Sequence, residues 1–323
     1  MLECLKCNRN YKGFQNRCEC GEVLYPVINS ISQLQLNEKL TMGEGNTPTL
    51  RLHDLESQFG CKELYIKNET TNPTGSFKDR GSIKEVTTAM KMGYHSISVA
   101  STGNMGISLA AYSAYFGLEC NIFIPMYTSI EKQKKMKSYG ARVFTIDGHY
   151  DDCVNVCEHF VNVDHSTFLT GDYHLRMLGM LSLGYELECY NPDVIICPVG
   201  NGNLLYSLYL SNKLLAKTIR LIGVQIEGYS TITDRVQPVD HALETVCPAV
   251  EVQNPLQGLG VLKALKETNG FMITVTNKEA RNAQYLMMEH GIYLEPSGAL
   301  PIAGIIKLNM ENKKVICIGT GRN

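Results

Sequence analysis

The stretch Asn72-Pro-Thr-Gly-Ser-Phe-Lys78-Asp-Arg-Gly81 puts a lysine directly after a Pro/Gly turn, at what should be the start of a helix. A helix dipole is positive at that end, so an ammonium is disfavoured there and the amine pKa is drawn down. A lowered pKa is what a nucleophilic or Schiff-base lysine needs, whereas an arbitrary lysine is a solvated surface group. Three segments rich in Gly, Ser, Thr and Asn could complete such a site. Ser101-Thr-Gly-Asn-Met-Gly106 offers hydroxyls, an amide and turn N–H groups that could grip a carboxylate. In Pro198-Val-Gly-Asn-Gly-Asn-Leu204, Gly200 and Gly202 allow backbone N–H groups to converge on a phosphate at a helix N-terminus. That loop lacks the third glycine of a dinucleotide fingerprint and the Gly-Lys-Ser/Thr of a Walker loop. Gly319-Thr-Gly-Arg-Asn323 ends the chain in a third such segment. Loops of this composition are ordinary turns in most proteins, so their meaning hangs on Lys78.

A second chemistry is metal binding. Cys4 and Cys7, ten intervening residues, then Cys18 and Cys20 are two close thiol pairs separated by a hairpin-length loop. This spacing can place four thiolates around one tetrahedral zinc, with Gly21 suited to the tight turn such knuckles use. The alternative is four unrelated surface thiols, and the Cys-x-Cys second pair departs from the commoner Cys-x-x-Cys. Residues 1 to about 26 cannot build a core alone, so a metal would supply their folding free energy. Four protein ligands leave no open coordination position, which makes the role structural. Cys153 and Cys157 lie one helical turn apart without a histidine pair nearby and read as packing residues. His149, His159, His165 and His174 have no ligand spacing and read as surface or core.

From residue 61 onward, short apolar or β-branched runs alternate with amphipathic stretches, the pattern of an α/β fold with mainly parallel sheets. Strands are expected over 64–67, 96–100, 121–124, 142–146, 194–197, 219–224, 271–275 and 315–318. Helices are expected over 105–116, 130–139, 151–160, 175–189, 204–214, 278–289 and 298–308. Residues 227–270, with three prolines and several glycines, read as a long loop over the surface or a cleft, with one helix near 261–267. In such a sheet, ligands bind where loops leave the C-terminal ends of strands, which is where the three Gly/Asn-rich segments fall.

The whole-chain quantities set the class. At 323 residues the prior is about two domains. Thirty basic against 32 acidic residues give a net charge of −2, which argues against a main role in binding nucleic acid or anionic membrane. No apolar run approaches the about 20 residues that span a bilayer, and the first residues lack the pattern of an export signal. A cytoplasmic address is therefore expected, in which 12 cysteines are thiols or metal ligands.

The Lys78 decapeptide, preceded by Gly43-Glu-Gly-Asn-Thr-Pro48 and followed by Ser101-Thr-Gly-Asn104, resembles the fold-type II pyridoxal-phosphate enzymes, the tryptophan synthase β-like family. Within that family it looks most like the threonine synthases, from about residue 43 to the C-terminus. Many of those also carry an N-terminal zinc ribbon, in agreement with Cys4, Cys7, Cys18 and Cys20.

The resemblance implies two three-layer αβα lobes with mainly parallel sheets after a small ribbon. The ribbon would be 1–28, a larger cofactor-binding domain 29–80 with 172–323, and a smaller substrate-binding domain 81–171. It further implies that Lys78 forms a Schiff base with pyridoxal 5'-phosphate and moves protons on the substrate carbons. Phe77 and Asn104 would lie against the cofactor ring, and Thr320 would face the pyridine nitrogen. Val199, Gly200, Asn201, Gly202, Asn203 and Leu204 would hold its phosphate. Ser101, Thr102, Asn104, Met105 and Arg176 would receive the substrate. The reaction implied is conversion of O-phosphohomoserine and water to threonine and phosphate by a homodimer, with a small amino acid as its only partner.

The chain departs from that pattern in two places. A lysine that the family has shortly after Arg176 is replaced within Met180-Leu-Ser182, and the last loop ends in Thr320-Gly-Arg-Asn323. A β-replacement of the cysteate or cysteine synthase kind, or a serine/threonine dehydratase, is the alternative on the same scaffold. Glu295-Pro-Ser-Gly-Ala299 has a dehydratase-like wording; it reads either as a helix cap with Ser297 at the N-cap or as a segment beside the cofactor.

Overall fold

The computed structural model describes residues 1–30, 40–101, 103–239 and 243–323. Thr102, expected at the substrate, lies outside the described residues. The N-terminal segment forms a small antiparallel sheet of β1 (Leu2–Glu3), β2 (Asn10–Tyr11) and β3 (Tyr25–Pro26), in the order β2-β1-β3. Its own apolar cluster is small, consisting of Leu2, Cys4, Cys18 and Leu24 with Tyr11. It docks through Tyr25, whose ring lies 4.9 Å from that of Tyr206 and whose hydroxyl accepts from Gly260 N at 3.2 Å. A Cβ at Gly260 would stand 2.5 Å from the Tyr25 ring, so the close approach requires glycine there.

After β4 (Thr49–Arg51), α1 (His53–Glu56), β5 (Glu63–Asn68) and α2 (Lys78–Lys91), the chain enters a four-stranded sheet. This sheet contains β6 (Ser96–Ala100), β7 (Glu119–Pro125), β8 (Arg142–Ile146) and β9 (Thr167–Leu169), all parallel, in the order β8-β7-β6-β9. The connections are α3 (Asn104–Phe116), α4 (Ile130–Ser138) and α5 (Tyr150–Val163). Strand alternation divides its apolar side chains between two faces. Ile97, Val99, Ile122 and Ile124 pack with α2, α3 and α4, while Ala100 and Phe123 pack with α5.

The chain then returns through α6 (His174–Leu187) to a six-stranded sheet with β10 (Val194–Pro198), β11 (Arg220–Ile226), β12 (Phe271–Val275) and β13 (Lys314–Gly319). Its order is β12-β11-β10-β13-β5-β4, parallel throughout except for the edge pair β4 and β5. Here α7 (Asn203–Leu214) and α8 (Gly258–Glu267) join α6 on one face, and α9 (Asn277–Glu289) and α10 (Pro296–Ile305) cover the other. Neighbours such as Ile195 and Ile196 point to opposite cores, giving the continuous apolar runs of doubly covered parallel strands.

The expected alternation is thus present as an α/β fold with two helix-covered sheets. The expected strands and helices occur with ends differing by a few residues, while β4, β9 and α1 were not anticipated because runs of three or four residues carry no usable period. Among the described residues no helix is long and apolar enough to cross a membrane.

Candidate active site

Loops leaving the C-terminal ends of β6, β9, β10 and β13 converge on one cleft. Lys78 enters from the first residue of α2, after the turn at Thr74 and Gly75. Its Nζ lies 3.6 Å from Asp172 Oδ1 and 4.9 Å from the centre of the Phe77 ring. Burial lowers the Lys78 pKa, partly offset by Asp172 and reinforced by Arg176. The direction is the one read from the helix position, with loss of solvent as the largest cause.

The lining brings together Phe77, Lys78, Ser101, Asn104 and Met105 with Gly200, Asn201, Gly202, Asn203, Leu204 and Thr320. Asn104 donates to Glu295 Oε1 at 2.5 Å, and its Oδ1 is buried without a protein hydrogen-bond partner. Ser101 Oγ accepts from Gly103 N at 3.1 Å and Gly106 N at 2.8 Å, so the hydroxyl holds the start of α3 in place. Gly202, at φ +99°, turns the chain into α7, a conformation that favours glycine. No N–H of Gly200, Asn201, Gly202 or Asn203 donates to a protein acceptor among the described residues. Four unused donors in front of a 12-residue helix form an anion cradle. Thr320 is buried beside Lys78, and its carbonyl accepts from Phe77 N at 2.9 Å.

Two expected residues are elsewhere. Val199 faces the apolar core, and its N–H extends the sheet to Val224 O at 2.9 Å. Arg176 is fully buried between α6 and α2 and does not line the cleft. Its guanidinium pairs with Glu85, donates to Lys78 O at 3.1 Å and reaches Gly171 O at 3.2 Å. Its sequence position carried no sign that a carboxylate two turns into α2 would claim it.

Several lining residues were not singled out from sequence. Tyr150, Asp172, Glu251 and the run Ala249, Val250 and Val252 all face the cleft. The last group comes from the long loop expected over the surface or a cleft, and Glu251 accepts from Tyr127 OH at 3.4 Å. Asp172 follows Gly171 four residues before Arg176, and an acid beside a glycine was the available signal. Glu295 and Ser297 both line the cleft; the N-cap of α10 is Glu295, not Ser297, whose hydroxyl has no partner. Burial raises the Glu295 carboxyl pKa, with Lys132 and Asn104 opposing.

The unpartnered buried atoms test whether pyridoxal phosphate fits. Asn104 Oδ1, both amide atoms of Asn203 and Ser297 Oγ are buried in the lining without protein partners, a costly arrangement unless a polar ligand satisfies them. With the anion cradle and a half-buried lysine lining one cleft, the donor set fits an aldehyde-bearing phosphate compound.

At the far end of the chain, the Sγ atoms of Cys4, Cys7, Cys18 and Cys20 lie within 4.8 Å of one another, with Cys4 to Cys20 at 3.6 Å and Cys7 to Cys18 at 3.4 Å. Thiolates around tetrahedral zinc stand about 3.8 Å apart, given Zn–S bonds of about 2.3 Å, so this donor set fits zinc.

Comparison with known proteins agrees with the site. The family described as pyridoxal-phosphate dependent enzyme matches residues 40–321. The threonine synthase of Methanocaldococcus jannaschii is 30% identical, covering 99% of this chain and 92% of its own length. That of Halalkalibacterium halodurans is 34% identical over 87% of this chain and 83% of its own. Among solved structures, the processed form of threonine deaminase isoform 2 from Solanum lycopersicum superposes with a TM-score of 0.75 at 21% identity, over 86% of this chain and 84% of that one, a likeness of fold.

Proposed function

The chain belongs to the pyridoxal-phosphate-dependent enzyme family, and from that premise we propose that it is a threonine synthase-like lyase converting O-phosphohomoserine and water to threonine and phosphate. The observation that carries this reading is Lys78, half-buried at the head of α2 in one cleft with four backbone donors that no described acceptor uses. When bound, pyridoxal phosphate supplies an electron-withdrawing ring conjugated to the substrate nitrogen. The chain supplies the rest. Gly200 to Asn203 would hold the phosphate through their N–H groups, and Asn104, Ser297 and Thr320 would fix the ring. Lys78 Nζ would attach the cofactor and then carry protons on the substrate carbons. The turn N–H groups at the start of α3 would take the substrate carboxylate.

One observation favours a second reading. The guanidinium of Arg176 is spent on Glu85 and does not meet the cleft, so the cation expected to grip a substrate phosphate is not there. Elimination from an unphosphorylated hydroxy amino acid, or β-replacement, needs no such cation. The deciding experiment offers O-phosphohomoserine to the purified holoprotein and measures phosphate and threonine together. Equal release of both supports the first reading. Release of neither, with ammonia from serine or threonine, supports the second.

The same proposal includes a structural zinc on Cys4, Cys7, Cys18 and Cys20, supported by the convergence of the four thiols. It also includes the division into 1–28, 29–80 with 172–323, and 81–171, and a homodimer. One zinc per chain by elemental analysis and a dimer mass by light scattering are the expected results.

A further inference from the structure

Asp172 is the acid nearest the reactive lysine. It sits in the loop between β9 and α6, is buried, and lines the cleft. Its two oxygens differ. Oδ2 accepts from Asn201 Nδ2 at 2.8 Å, and Asn201 Nδ2 also reaches Tyr150 OH at 3.3 Å. Oδ1 accepts no hydrogen bond and faces Lys78 Nζ at 3.6 Å. The main chain is pinned as well, since Gln257 Nε2 donates to Asp172 O. One oxygen is thereby anchored and the other is left free, aimed at the amine.

We propose that Asp172 is a positioning residue that acts through Lys78, its free oxygen being the counter-charge that holds a proton on Nζ. Burial works against the Asp172 charge, but Lys78 and Arg176 outweigh it and keep its carboxyl below the usual range, so the pair is ionic. In return Asp172 opposes the lowering of the Lys78 pKa by burial. The proposal rests on the cofactor reading above. Other groups that face the pair are Arg176 on α6, Glu85 on α2, Tyr150 on α5 and Glu295 before α10, the last itself 4.0 Å from Lys132 on α4.

The test is a pH titration of the visible absorption band of the lysine-bound cofactor in the holoprotein. It is paired with the pH dependence of Lys78 reductive methylation in the cofactor-free protein, read by peptide mass. Asp172→Asn keeps the shape and the Asn201 contact but removes the charge. Both apparent pKa values are expected to fall by about one unit, a tenfold change in the protonation constant. Asp172→Ser, smaller and able to admit a water, must give the same displacement if the Asn variant does not fold, and Asp172→Glu must move the values back towards wild type. Titrations of the charge-removing variants that superimpose on wild type overturn the proposal. A wild-type protein with no visible band overturns the cofactor reading instead.

Discussion

Two cations two residues apart on the first turn of α2 have opposite surroundings. Arg80 is fully buried, and its nitrogens are saturated. Nε and Nη2 reach Glu69 at 2.7 and 2.8 Å, Nη1 and Nη2 reach Glu186 at 2.6 and 2.8 Å, and Nη1 also reaches Ser182. Lys67 Nζ joins the same network at 2.7 Å from Glu186. Lys78 has one carboxylate at 3.6 Å, an aromatic face, and an open cleft. The saturated charge ties β5, α2 and α6 together. The unsaturated one lines the cleft. Burial alone does not separate structural from functional charges; the count of donors left over does.

The sharpest way to break the comparison is Lys78→Ala. Activity and the visible band should fall by on the order of a thousandfold or more, with a smaller drop in the urea midpoint than Arg80→Met gives, because Asp172 loses one partner at 3.6 Å but keeps its bond from Asn201. Arg80→Met should do the reverse. It leaves Glu69 buried and unpaired, costing about 3–5 kcal/mol by urea denaturation, while the band per folded molecule persists. A Lys78→Ala protein as unstable as Arg80→Met would erase the distinction.

A smaller effect should appear in acid. Burial works against the Glu186 charge, but Arg80 and Lys67 outweigh it and bring its carboxyl down to about 2. A carboxyl depressed in the folded state contributes stability that is complete above its unfolded value, near pH 4.5, and is lost as pH falls towards 2. Glu186→Gln should therefore flatten the fall in urea midpoint between pH 5 and 3; an equally steep fall would place the acid sensitivity elsewhere. The smallest change marks the bottom of the scale. Arg142 pairs with Glu119 at 3.2 Å, but both side chains are more than half exposed, so Arg142→Ala should leave the midpoint unchanged.

Much of this site was legible in the residues. Lys78 was marked by an unfavourable position after a turn, the cradle by Gly200 and Gly202, and the thiol cluster by its spacing. Each is a local signal, in which neighbours along the chain carry the chemistry. The misplaced and overlooked residues are those whose meaning depends on distant partners. Arg176 looked available until Glu85, on another helix, took its guanidinium. Asp172 looked like a loop acid until its loop was pinned by Gln257 and Asn201 against Lys78. Phe14 and Arg17 of the ribbon reach His174 and Glu158 beside the same loop, contacts spanning more than 140 positions.

The sequence by itself determined the α/β alternation, the family, the lysine at the head of α2 and the glycine-rich loops, because periodicity, turn chemistry and helix-end electrostatics act over a few residues. Only the tertiary structure decided which charges are spent on one another and which remain free. Pairing of buried ions is set by distances in space, and two residues on one helical turn, Lys78 and Arg80, are sent to opposite fates by partners that sequence separation cannot reveal.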